Sequence, residues 1–133
     1  MPKGIGQLRS LALDNRKWRI PADVSITFWA GGRHNSEFQD DNAGGTPVSK
    51  FTTGKITGMI VRTAQTGEMK NMIEIIKKTV ENPVPCLIEL ANGEKWSAPV
   101  YAVIDEGGPF TSEDGKFTFD LFAGNDSGIF VQV

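Results

Sequence analysis

The sequence predicts a mainly β protein, an antiparallel β-sandwich or partly closed barrel with one α-helix at about residues 67–81 and a long extended loop at about 31–50. Three observations predict it. Apolar and polar residues alternate in most of the apolar segments, the period-two signature of half-buried strands. Turn-forming pairs, Asp14-Asn15, Asn92-Gly93 and Asp114-Gly115, fall between such segments and read as hairpins. One stretch alone, Met69 to Val80, spaces its apolar residues three and four apart. Hairpin-joined strands with one helix pack as two layers or a rolled sheet, with the helix closing an end or an edge.

Residues 1–7 carry Pro2, Gly4 and Gly6 and read as a flexible arm. In LRSLALDNRKWRIP, Leu11 and Leu13 alternate with polar neighbours, Asp14-Asn15 turns, and Trp18 and Ile20 alternate on the return. Pro21 ends that strand. DVSITFWAG then places Val24, Ile26 and Phe28 on one face and Ser25, Thr27 and Trp29 on the other. Gly31-Gly32 closes it, and the polar, glycine-rich excursion follows. KFTTGKITGMIVRT returns as a strand, with Ile56, Gly58 and Ile60 on one face and Thr57, Met59 and Val61 on the other. Gly54 and Gly58 there predict a bulge or a close backbone approach.

In TGEMKNMIEIIKKTVEN the helical face comprises Met69, Met72, Ile73, Ile76 and Val80. Glu68 complements the positive end of the helix dipole, and Lys77 and Lys78 the negative end. Asn82-Pro83 stops the helix. VPCLIELANGEKWSAPVYAVIDE reads as a hairpin through a primed turn at Asn92-Gly93. After Asp114-Gly115, Phe117, Phe119 and Leu121 alternate with Thr118, Asp120 and Phe122. Residues 124–133 extend past this last long strand, as an additional strand or a contact arm.

The 133 residues make one domain, 39% apolar and 23% charged, which suits a globular rather than a disordered chain. A formal charge of -2 shows no strong pull toward nucleic acid or an anionic membrane. Apolar runs are too short for a transmembrane helix. The start, MPKGIGQLRS, lacks the apolar core of a secretion signal, so the expected site of synthesis is the cytoplasm.

Catalytic chemistry is sparsely represented. Cys86 is the sole cysteine, which excludes an intrachain disulfide and a cysteine-based zinc site. It opens an apolar strand and reads as a small core residue. A nucleophile there would need a base, and His34 is the sole histidine. Asp40-Asp41-Asn42 lacks the alternating spacing and distal glutamate of a calcium loop and reads as a solvated acidic segment. Asp105-Glu106 and Glu113-Asp114 lie in turn-like stretches, where carboxylates are ordinary. Arg16, Lys17 and Arg19 around Trp18 read as a solvated hairpin rather than a nucleic-acid platform. No catalytic, metal or cofactor site is expected.

The order of the pieces carries more than any one of them. LALDNRKWRI precedes VSITFWAGG; the excursion follows, then GKITGMIV, the helix, VPCLIELANGEKWSAPVYAVID and EDGKFTFDLFA. This succession, from about Leu8 to Ala123, resembles the tail tube proteins of tailed bacteriophages, those with contractile tails most closely. LIELANG-x-x-W followed by EDGKF-x-F is its most specific part. The resemblance implies a structural virion protein with no enzymatic activity and no cofactor. Its subunits would close into six-fold rings that stack into a hollow tube in the virion tail. Sheets would join into a barrel around the lumen, a sheath would surround the tube, and DNA would pass without specific binding.

Within that expectation, the excursion is an inter-subunit or inter-ring contact. Its anchors are Phe38, Pro47, Val48 and Phe51, with Arg33, Glu37, Asp40, Asp41 and Lys50 as polar contacts. Ser25, Thr27, Lys55, Thr57 and Arg62 are the candidates to face the lumen, though Lys55 and Arg62 suit poorly a wall that must release phosphates. Two alternatives stand beside it. One is a type VI secretion tube protein, which shares the fold. The other is a carbohydrate-binding β-sandwich using Trp18, Trp29 and Trp96 as stacking platforms.

Overall fold

The computed structural model describes residues 8–21, 24–104, 110–111 and 115–133. The arm at 1–7 and the carboxylates Asp105, Glu106, Glu113 and Asp114 lie outside the described residues. The strands are β1 (Leu8–Leu13), β2 (Arg16–Trp18), β3 (Thr27–Trp29), β4 (Gly32–Asp41), β5 (Gly44–Thr52) and β6 (Lys55–Arg62). After helix α1 (Glu68–Lys78) come β7 (Val84–Leu90), β8 (Lys95–Val103), β9 (Phe110–Thr111), β10 (Lys116–Ala123) and β11 (Val131–Gln132). The fold is mainly β and antiparallel with one helix, as the alternation and turn signals predict.

The main sheet runs β2-β1-β7-β8-β10-β6-β3, with β11 added to β8 and β9 to β10. Its two ends meet. β2 and β3 run in the same direction, the first paired to β1 and the second to β6. Between them the Arg62 amide donates to the Arg19 carbonyl at 2.8 Å. This bond draws the two terminal strands of the sheet toward each other, and the sheet rolls into a barrel-like form.

Alternation fills the interior. Leu11 and Leu13, Val84, Cys86, Ile88 and Leu90, and Phe117, Phe119 and Leu121 all point inward and are buried. Each such side chain contributes about 1.5–3 kcal/mol when fully removed from water. Met72 and Ile75 of α1 pack onto the same core. The two strand prolines, Pro85 and Pro99, face each other across β7 and β8. Pro99 falls between the β8 segment paired to β11 and the one paired to β10, where no ladder bond asks for its missing N–H.

The fold differs in detail from the sequence expectation at the helix, at two turns, on β6 and in the excursion. The helix ends at Lys78, short of the expected residue 81, so Val80 lies outside it and is 80% exposed. Its inward face is Glu68, Met72 and Ile75, rotated from the expected one, with Met69 and Ile76 at its margin. The primed turn occurs at Asp14-Asn15, where both residues have positive φ (56° and 63°). At Asn92-Gly93 only Gly93 is left-handed, and a Gly93 N–H to Leu90 carbonyl bond makes a wider turn closed by a glycine bulge. A β-bulge at Gly58 (φ 81°) resets the face of β6, so Ile56, Met59 and Val61 point inward together.

Residues 31–50, expected as an extended loop, are most of a regular β-hairpin, β4–β5. Residues 124–133 include an added strand, β11, and bury Phe130 in the core. The additional-strand reading of this extension is therefore the one the fold adopts.

Candidate functional site

The hairpin β4–β5 is a sheet of its own, paired to no other strand. At about 3.4 Å per residue it reaches about 30 Å. Nearly all of it is exposed to solvent. A lone two-stranded ribbon is marginal in water, so this one depends on its root and on whatever covers it.

Its register sorts the expected contact residues onto two faces. Arg33 pairs with Phe51, Phe38 with Pro47 and Asp40 with Gly45, all on one face. Glu37 pairs with Val48, His34 with Lys50 and Asp41 with Gly44, on the other. Strict alternation from Arg33 would separate Phe38 from Phe51. A bulge between Asn35 and Glu37 reunites them. The Ser36 hydroxyl donates to the Val48 carbonyl at 3.1 Å and holds the extra residue. Arg33 reaches across to the Ser49 hydroxyl at 2.9 Å, and the Phe38 ring lies over Gly45, where no Cβ would fit.

The root is tied to the barrel by the C-terminal segment. Phe130 N–H donates to the Ala30 carbonyl at 2.6 Å, Gly54 N–H to Gly128 at 2.7 Å, and Ala123 N–H to Gly54 at 2.8 Å. Asn125 both donates to and accepts from Ile129, shaping the turn that delivers these groups. Gly31 (φ 107°) sits so close that a Cβ would stand 2.5 Å from the Gly128 carbonyl oxygen. Phe130 meets Phe28 edge-on at 5.4 Å, and Trp29 donates from its indole to the Thr52 carbonyl at 3.1 Å. His34 lies edge-on to Trp29 at 5.5 Å in a cleft of about 300 Å³ that Thr52 and Lys55 complete.

The expected lumen residues come together on the outside of the barrel. Thr27 pairs with Thr57, and Trp29 with Lys55. The Gly58 bulge brings Arg62 onto this same outer face, despite its opposite parity in sequence. There Arg62 stands directly across from Lys116, two like charges with no ion pair among the described residues. Asp120 accepts a bond from the Gly58 N–H at 3.1 Å.

The strongest polar contact lies elsewhere. Arg19 donates to both oxygens of Glu68, at 3.0 and 2.5 Å, and Glu68 also accepts the Gln65 N–H at 2.8 Å. The Arg19 hydrogen bond holds the Glu68 carboxyl below its usual range, and the Gln65 amide adds to this against the cost of burial. Residues 19 and 68 are distant in sequence and share no motif, so nothing local announces the pair. Burial pushes the Cys86 thiol up to about 12, and Cys86 sits inside the barrel while His34 belongs to the hairpin. The fold does not bring them together as nucleophile and base. Trp18 is buried, Trp96 packs against Phe28 at 5.4 Å, and Trp29 is 36% exposed, so the three rings share no stacking platform.

Among the described residues no cluster of histidine, cysteine and carboxylate side chains could hold a metal ion, and no helix is long and apolar enough to cross a membrane. Comparison with protein-family models, with curated proteins and with solved structures gave no match.

Proposed function

We propose that the chain is a structural virion protein, a tail tube subunit that closes into six-fold rings and stacks into the conduit for DNA ejection. The observation that carries this reading is the β4–β5 hairpin. It extends about 30 Å from the barrel, adds no residue to the core, and leaves Phe38 60% and Phe51 43% exposed. Such a ribbon gains its stability from a neighbour. The order of sequence pieces that resembles tail tube proteins supports the same reading, as does a barrel whose root geometry fixes where the ribbon begins. A tail sheath is the outer partner in this scheme, and the virion tail the location.

One part of the expectation shifts. Lys55, Arg62 and Lys116, none of them in an ion pair among the described residues, add positive charge to the β6–β10 outer face around Asp120, and free cations hold DNA phosphates. Within this proposal that face meets a neighbouring subunit rather than DNA. The test is negative-stain microscopy with sedimentation velocity on the purified chain. Six-fold rings or tubes with an open lumen are expected. A species that stays monomeric across the concentration and salt range overturns the reading.

A further inference from the structure

We infer that the hairpin docks through one face only, Phe38–Pro47–Phe51, onto the outer strip of β8 and β10 on a second copy of this chain. The inference rests on the tube-subunit reading for its setting but stands on separate observations. The bulge at Ser36 exists at a cost, since it leaves one residue outside the ladder. What it produces is an apolar row on a ribbon that otherwise has none. Asp40 continues that row toward the tip, on the same face, while Asp41 lies on the other.

The barrel carries a matching row. Tyr101 stands across from Phe122, Val103 comes next on β8, and Lys116 stands across from Arg62 at the far end. Tyr101 is 38% exposed and Val103 48%. Both rows begin with aromatic side chains and end in charge, negative on the hairpin and positive on the barrel. Their lengths agree. Phe51 to Gly45, the partner of Asp40, and Phe122 to Lys116 each span six residues of regular strand, about 20 Å. Asp120, across from Val103, lies within this strip between Phe122 and Lys116, its carboxylate accepting from the Gly58 amide.

Charge and direction select the occupant. Like charges facing each other across a ladder destabilise a bare sheet, and an arriving carboxylate offsets that at Arg62 and Lys116. The hairpin leaves the barrel beside Lys55, at one end of β6, whereas Arg62 closes the other end. Complementary rows on one chain are satisfied by head-to-tail contact between copies, the kind that closes rings or grows filaments.

The test uses the full-length chain, sedimentation velocity and negative-stain microscopy. Phe38→Ala, deletion of Ser36 and Lys116→Glu each weaken self-association by about tenfold or more. Val48→Ala, on the opposite hairpin face, leaves it unchanged. Combining Asp40→Lys with Lys116→Glu restores part of what either loses alone. Melting temperatures of these variants report whether the barrel is intact. Equal losses from Phe38→Ala and Val48→Ala overturn the inference, and so does a charge exchange that restores nothing. Rings that form without the Phe38 face remove this docking mode and leave the tube reading standing. Self-association that needs the Phe38 face but gives no rings does the reverse, and a strict monomer removes both.

Discussion

At the scale of single residues, the Arg19–Glu68 pair is the polar contact with the clearest energetic consequence. Glu68 is buried and Arg19 half-exposed, so the two ends of the pair are not equivalent. Losing Glu68 leaves a guanidinium that water can reach. Losing Arg19 leaves a buried carboxylate short of a partner, the costlier outcome. Arg19→Ala should therefore lower the melting temperature more than Glu68→Gln, as read by circular dichroism; the reverse order would refute the assignment. Acid adds a second readout. Because the folded state holds the Glu68 carboxyl below its ordinary value of 4.5, the pair stabilises the fold above that value. The contribution fades as pH falls through the lowered folded value. Wild type should lose its advantage over Glu68→Gln in that window and keep it at neutral pH. Cys86 offers an independent check on the core. With its thiol pushed up to about 12, only about one molecule in ten thousand is thiolate at pH 8. A thiol reagent should leave the folded protein unmodified for hours and react at once in denaturant. Burial of Cys86 was legible from its place in an apolar strand, whereas the Arg19–Glu68 pair depends on how the barrel brings β2 to the start of α1.

At the scale of elements, alternation succeeds where one face of a strand is buried and fails where a local irregularity intervenes. β10 follows its sequence pattern residue by residue, whereas β7, apolar at nearly every position, turns Pro85 and Leu87 outward. β6 does not follow its pattern, because the Gly58 bulge switches faces midway; the glycine announces an irregularity but not which residues it moves inward. The helix is legible as a helix, yet its inward face is set by Glu68 meeting Arg19 and by termination at Lys78, and so Ile75 rather than Val80 reaches the core. The hairpin root makes the sharpest element-level prediction. Gly31 and Gly32 both have positive φ, 107° and 125°. An added Cβ at Gly32 meets no atom within 4 Å, but at Gly31 it meets the Gly128 carbonyl and the Gly54 amide. Gly32→Ala should cost only its backbone strain, about 1–3 kcal/mol. Gly31→Ala should cost more and should speed hydrogen exchange at Gly54 and Phe130, whose amides tie the root. Equal melting temperatures for the two variants would mean that the root is not the close-packed junction described here.

At the scale of the molecule, the chain divides into a barrel that explains its own stability and a ribbon that does not. The division was half legible. The excursion stands out in the sequence because it is polar and glycine-rich, but its strands are hidden. Period-two hydrophobicity marks a strand only when one of its faces is buried, and here neither face is. Its larger apolar residues, at 38, 47, 48 and 51, sort onto faces only once the Ser36 bulge and the register are known. The consequence is a prediction about dependence. Ala30 and Gly54, the last barrel residues on either side, are each hydrogen-bonded to the C-terminal segment rather than held by the ribbon. Replacing residues 32–52 by a short glycine-rich turn therefore removes no core side chain and no root bond between the barrel and residues 123–130. Shortening the loop also lowers the entropy cost of closing it, by about 0.6 kcal/mol per halving of its length. The excised protein should melt cooperatively within a few degrees of wild type while losing self-association. A barrel that unfolds without its ribbon would show instead that the hairpin belongs to the fold, and the case for it as an assembly element would fall.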